Sequence, residues 1–156
     1  MALVRILVDG YSLLHKWLEL APGKPRHSAA AREELISRMT QYYDACGTPI
    51  TIVFDGSGTA QGPDATLSTP EVEIIYSRAG QTADQLIERV AHRLAAHGEV
   101  LAVTDDFAER DTVASAGGMT SSCANFVQTV GSALADLERD IRNYNQRERG
   151  KFNGAC

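Results

Sequence analysis

The sequence predicts an α/β fold, a three-layer arrangement with a mainly parallel central sheet flanked by helices. Short apolar runs of strand length alternate with longer stretches whose apolar residues recur at helical spacing, as in successive βα units. The runs that begin at Leu3, Ile50 and Val100 are apolar almost throughout. They read as strands buried on both faces, the usual condition at the centre of a parallel sheet. Each run also ends in an acid, at Asp9, Asp55 and Asp105-Asp106, and the carboxyl ends of strands are where open α/β sheets bind ligands.

Taken in order, Leu3–Val8 is the first strand, ending at Asp9-Gly10-Tyr11-Ser12. Tyr11–Leu20 fits a short helix or a loop. Ala21–His27 contains two prolines, a glycine, Lys24, Arg26 and His27, and reads as a surface loop. Ser28 caps a helix to about Cys46, with Leu35, Ile36, Met39, Tyr42 or Tyr43 and Cys46 on one inward face and Gly47 closing it. Ile50–Phe54 is the second strand. Gly56–Pro70 is a long loop without periodicity, of a length that is usually functional or mobile. Glu71–Tyr76 alternates acid with apolar, as a strand nearer an edge does.

Thr82 and Gln85 fit a capping box, and Ala83, Leu86, Ile87, Val90, Ala91, Leu94 and Ala95 form one face of the helix that follows, up to Gly98. Asp84 lies in the first turn, where the helix dipole favours an ionised carboxylate. Val100–Thr104 is the third buried strand. Asp106 and Glu109 fit caps of a short helix running to Gly117-Gly118, and Met119–Ser121 is a last short strand. Ser122 caps a final helix with Phe126, Val127, Val130, Leu134, Leu137 and Ile141 inward. The expected organisation is one domain over residues 1–144 and a frayed, polar, basic tail over 145–156.

A chain of 156 residues is long enough to bury a core without covalent staples. Hydrophobic residues make up 44% and charged residues 22%, ordinary for a soluble globular protein. No apolar run reaches membrane-spanning length, and no signal-peptide pattern opens the chain, so a cytoplasmic location is expected. Cys46, Cys123 and Cys156 are widely spaced, with no zinc pattern, and read as reduced thiols. The net charge of -5 has the wrong sign for a protein that holds nucleic acid by general electrostatics. Local basic stretches remain, at Lys24–His27 and at Arg139, Arg142, Arg147, Arg149 and Lys151.

The acids carry the chemistry. Carboxylates brought together raise one another's pKa and destabilise a fold unless a cation neutralises them. The hard cation for an all-oxygen set is Mg²⁺ or Mn²⁺. Such an ion holds phosphate and lowers the pKa of a bound water. Asp9, Asp84, Asp105 and Asp106 are the candidates, with Asp55 a fifth. Four of the five have an ordinary alternative role: Asp84 and Asp106 as helix-start acids, Asp9 and Asp55 as turn residues before glycine. Neither role explains why every central strand ends in an acid. Gly56-Ser57-Gly58 lacks the helix start of a dinucleotide fingerprint, and no phosphate loop or nucleophile elbow is present, so no nucleotide cofactor is expected. The histidines have no mutual metal spacing. His92 and His97 read as solvated helix residues, while His15 is near enough to Asp9 in sequence to reach the site.

Val8-Asp9-Gly10-Tyr11, Phe54-Asp55-Gly56, the segment Ser77–Asp84 with Ile87-Glu88, and Val103-Thr104-Asp105-Asp106 together resemble the YacP-like branch of NYN-domain ribonucleases, in the PIN-like nuclease superfamily. The resemblance implies a PIN-like fold and metal-dependent endonucleolytic cleavage of RNA. Carried over by position, Asp9, Asp84, Asp105 and Asp106 would be the catalytic, metal-binding acids, holding Mg²⁺ or Mn²⁺. Arg78 and Gln81 would touch substrate phosphate or shape their turn. Ser12 stands where the family usually has Asn, and would orient metal or substrate. Lys24 and Arg26 would help to place single-stranded or unpaired RNA. The implied partner is RNA, mRNA in particular, with the ribosome or another ribonucleoprotein as a possible presenting surface. The rival reading is a catalytically weak RNA- or ribonucleoprotein-binding module on the same fold.

Overall fold

A computed structural model describes residues 3–56, 68–78 and 80–154, the side chains of 152–154 apart. The elements are β1 (Leu3–Asp9), α1 (Gly10–Lys16), α2 (Ala29–Cys46), β2 (Ile50–Phe54), β3 (Val72–Tyr76), α3 (Ala83–Leu94), β4 (Glu99–Val103), α4 (Phe107–Ser115), β5 (Met119–Ser121) and α5 (Cys123–Gly154). Every strand pair is parallel, in the order β3-β2-β1-β4-β5. The α/β class and the parallel sheet expected from the sequence are both present.

The pleat sorts each strand's side chains between two cores. Ile6 and Val8 of β1, Ile50, Ile52 and Phe54 of β2 and Val103 of β4 belong to one cluster, packed by Leu13, Leu35, Met39 and Phe126 from α1, α2 and α5. Leu7, Val53, Val100 and Ala102 point the other way, onto Ala83, Ile87 and Ala91 of α3 and Val113 of α4. From β1 the chain winds outward to β2 and β3, then crosses back through α3 to β4 on the far side of β1. The crevice at the carboxyl ends of β1 and β4 is therefore the switch point where such sheets bind ligands.

Local signals act as read. Ser28 accepts a hydrogen bond from Ala31 N–H to cap α2, and Gly47 ends it with φ of 74°. Thr82 and Gln85 close a reciprocal capping box on α3. Gly10 is required by packing: a Cβ there would lie 2.4 Å from Phe54 Cε1.

Three expectations are corrected. Cys46 is exposed: it is the last residue of α2, next to the Gly47 cap, and the helix's buried residues end at Tyr42. Ile141 is 53% exposed. The segment after Tyr144 is the end of α5, a helix of 32 residues; after Leu137 its described residues are exposed, so it continues without a core beneath it. Most of the 56–70 loop, and Cys156, lie outside the described residues. No helix among the described residues is long and apolar enough to cross a membrane.

Candidate metal centre and groove

Asp9 is the last residue of β1 and the N-cap of α1. Ser12 donates twice to it: its backbone N–H to Oδ1 at 3.3 Å and its hydroxyl to Oδ2 at 3.1 Å. Asp84 enters from the first turn of α3. Glu109 enters from α4 and is 1% exposed. One carboxylate oxygen from each of the three lies within 4.8 Å of the others.

Glu109 shows what the arrangement lacks. Its Oε2 accepts a hydrogen bond from the Thr104 hydroxyl at 3.0 Å. Its Oε1 is buried and meets no donor among the described residues. The Glu109 carboxyl lies close to that of Asp84, another acceptor. Burial first, then the hydrogen bond and charge of Asp84, push Glu109 up to about 9. Two carboxylates at this distance need a shared proton or a cation between them. Asp9 is also raised, by burial first, with the Ser12 hydrogen bonds opposing and the charges of Asp84 and Asp55 adding. Three oxygen donors with an orphaned buried oxygen fit a hard divalent cation.

The other predicted acids are placed differently. Asp106 is exposed and caps α4, accepting from Ala108 N–H at 2.9 Å and Glu109 N–H at 3.3 Å. Asp105 Oδ1 accepts from Cys123 N–H at 2.9 Å, at the start of α5. Burial, then the charges of Asp105 and Asp9, push the Cys123 thiol up to about 12; Asp105 is not one of the three acids whose oxygens come together. Asp55 accepts from the Ser77 hydroxyl at 3.2 Å. It lines an open groove of about 310 Å³ with Asp9, Asp84, Tyr11, His15 and His27.

The proposed substrate contacts also separate. Arg26 donates to five backbone carbonyls, those of Leu14, Trp17, Leu20, Ala21 and Lys24, at 2.7–3.3 Å. It holds its own loop together, so its guanidinium is spent before any substrate arrives. Lys24 is exposed on that loop and is not among the residues lining the groove. Ser12 positions Asp9. Arg78 and Gln81 line a second groove, of about 580 Å³, with Arg89 and the apolar floor of Ile75 and Leu86. It runs alongside α3 from the turn that precedes Asp84.

From the sequence, Glu109 reads as a cap and His27 as part of a surface loop. Glu109 did carry a signal: it is four residues before the buried Val113, so the helical period puts both on the inward face. His27 carried none.

A family profile described as the YacP-like NYN domain matches residues 6–155. The chain belongs to the YacP-like NYN family. This NYN domain is 28% identical over 138 residues to the protein YacP of Bacillus subtilis (strain 168), covering 88% of this chain and 81% of that one. It is also similar to the crystal structure of Rae1 (YacP) from Bacillus subtilis, with a TM-score of 0.76 and 25% identity over 98% of this chain and 87% of the other. The W164L mutant of the same protein gives 0.74 and 25% over 90% and 82%. The NYN domain places the chain on the PIN-like nuclease fold.

Proposed function

We propose that this NYN domain is a metal-dependent endoribonuclease acting on single-stranded or unpaired RNA. The observation that carries the reading is the buried Glu109 carboxyl, which has an orphaned Oε1 and joins Asp9 and Asp84 in one three-acid cluster at the sheet's switch point. Mg²⁺ or Mn²⁺ would be held by Asp9, Asp84 and Glu109, with Asp105 adding negative charge at the same edge. When bound, the cation supplies a water of lowered pKa and neutralises phosphate oxygens. Asp9, oriented by Ser12, and Asp84, fixed by the α3 cap, set where the scissile phosphate would sit. Arg78 and Arg89 would neutralise phosphates further along the strand. That pair places positive charge locally in a chain whose net charge is -5, and a presenting surface such as the ribosome would supply the remaining attraction.

The test is cleavage of a mixed-sequence, partly structured RNA with Mn²⁺, with Mg²⁺ and with EDTA, alongside Asp9→Asn. Expected are metal-dependent cuts with 5′-phosphate and 3′-hydroxyl ends, lost in the variant. Ends bearing 2′,3′-cyclic phosphate would refute water attack.

A further inference from the structure

We propose that His27, backed by Tyr11, is a stacking platform for one unpaired base of the strand bound at the carboxylate site. This rests on the ribonuclease reading above.

The first observation is an aromatic column that runs from the core to the groove. Phe54 is fully buried and stacks on Tyr76, with ring centroids 5.5 Å apart. Tyr11 lies 5.0 Å from Phe54. His27 lies 4.2 Å from Tyr11, with 34° between the ring planes. His27 is exposed, and with Tyr11 it lines the groove that holds Asp9 and Asp84.

The second observation is how firmly this exposed ring is held. Arg26 ties the loop to five carbonyls immediately before it. Arg32 Nη1 donates to the His27 carbonyl at 2.8 Å and to the Tyr11 hydroxyl oxygen at 3.3 Å. His15 and His27 share a hydrogen bond, with 3.3 Å between their Nε2 atoms. Ordering an exposed side chain loses rotamer entropy and buries little surface in return. A ring held in advance saves a ligand that loss.

With one face packed on Tyr11, and with Nε2 engaged by His15, whose ring meets it edge-on at 5.3 Å, the broadest surface left on the exposed imidazole is its opposite face, and a ring face attracts another ring. Every nucleobase has one, so such a contact accepts any sequence. A second metal site is disfavoured, since among the described residues no third ligating atom completes a set with the two imidazoles.

The test is steady-state cleavage of a single-stranded RNA with Mn²⁺ by the full chain, its His27→Ala variant and its His27→Phe variant. Loss of a base stack is expected to raise KM about 5- to 100-fold in His27→Ala, with kcat within about threefold, because the contact is equal in ground and transition states. His27→Phe keeps a ring face and is expected to restore KM. If phenylalanine fails to restore it, the imidazole acts through its nitrogens and the platform is wrong. Wild-type KM in His27→Ala, on an RNA that the wild-type chain cleaves, overturns the platform alone. Absence of metal-dependent cleavage by the wild-type chain overturns the ribonuclease reading and the platform with it.

Discussion

The buried Glu109 carboxyl is set against the Asp84 carboxylate, acceptor against acceptor, with Thr104 supplying the one donor Glu109 has among the described residues. Only a proton or a cation reconciles that contact. In the cation-free protein the proton does so: Glu109 rises from 4.5 to about 9. Between those values the folded chain keeps a proton that the unfolded chain has released, so stability falls as pH rises through that window. Glu109→Gln removes this titration while keeping the volume. In EDTA, its thermal stability is expected to fall less than the wild type's between about pH 5 and 9, by on the order of 1–3 kcal/mol. Mn²⁺ is expected to raise the Tm of the wild type and not of the variant, and cleavage should drop about 100-fold or more. Equal pH slopes in the two proteins would remove Glu109 from the site.

Ser12 holds both oxygens of Asp9 and opposes the effect of burial on its pKa. Ser12→Ala deletes the hydroxyl bond, so Asp9 should titrate at higher pH still. A cation needs the ionised form, and the acid limb of the cleavage profile is expected to move upward. Mn²⁺ affinity should weaken about tenfold, as is usual when a ligand's supporting partner is removed. An unchanged pH profile would mean that Ser12 does not set the state of Asp9.

Arg26 is a fastener of the loop between α1 and α2. Arg26→Ala strands several carbonyls and is expected to lower stability by about 2–4 kcal/mol, with new proteolytic cutting between residues 17 and 27. Arg26→Lys should not restore it, since one ammonium cannot span carbonyls that a planar fork reaches together. Full stability in Arg26→Lys would disprove the fork argument.

Gly10 admits the Phe54 ring, which a Cβ would meet at 2.4 Å. Gly10→Ala is expected to cost about 1–3 kcal/mol by overpacking. Combined with Phe54→Leu, the loss should be smaller than the sum of the two single losses. Strict additivity in denaturant unfolding would show that the two positions do not meet.

Local chemistry settled much of this protein by itself. Apolar runs without alternation can be buried only on both faces, so β1, β2 and β4 were legible as central strands. Ser28, Gly47, Thr82 and Gln85 act within one turn of their own positions, which makes caps readable without any knowledge of the fold. Asp9 and Asp84 were legible because a strand end and a helix start fix where they point. Which acids converge was decided by the tertiary structure, because strand order and helix phase determine it. Asp106, next to a strand end, caps its own helix, while Glu109, three residues on in the first turn of α4, is buried with Asp9 and Asp84. Arg26 and His27 stand side by side in one loop, yet one faces backbone carbonyls and the other the groove. Adjacency in sequence carries no information about which way a loop folds; the carbonyls of Leu14, Trp17 and Leu20 that capture Arg26 come together only once the end of α1 and the loop after it have taken their folded path.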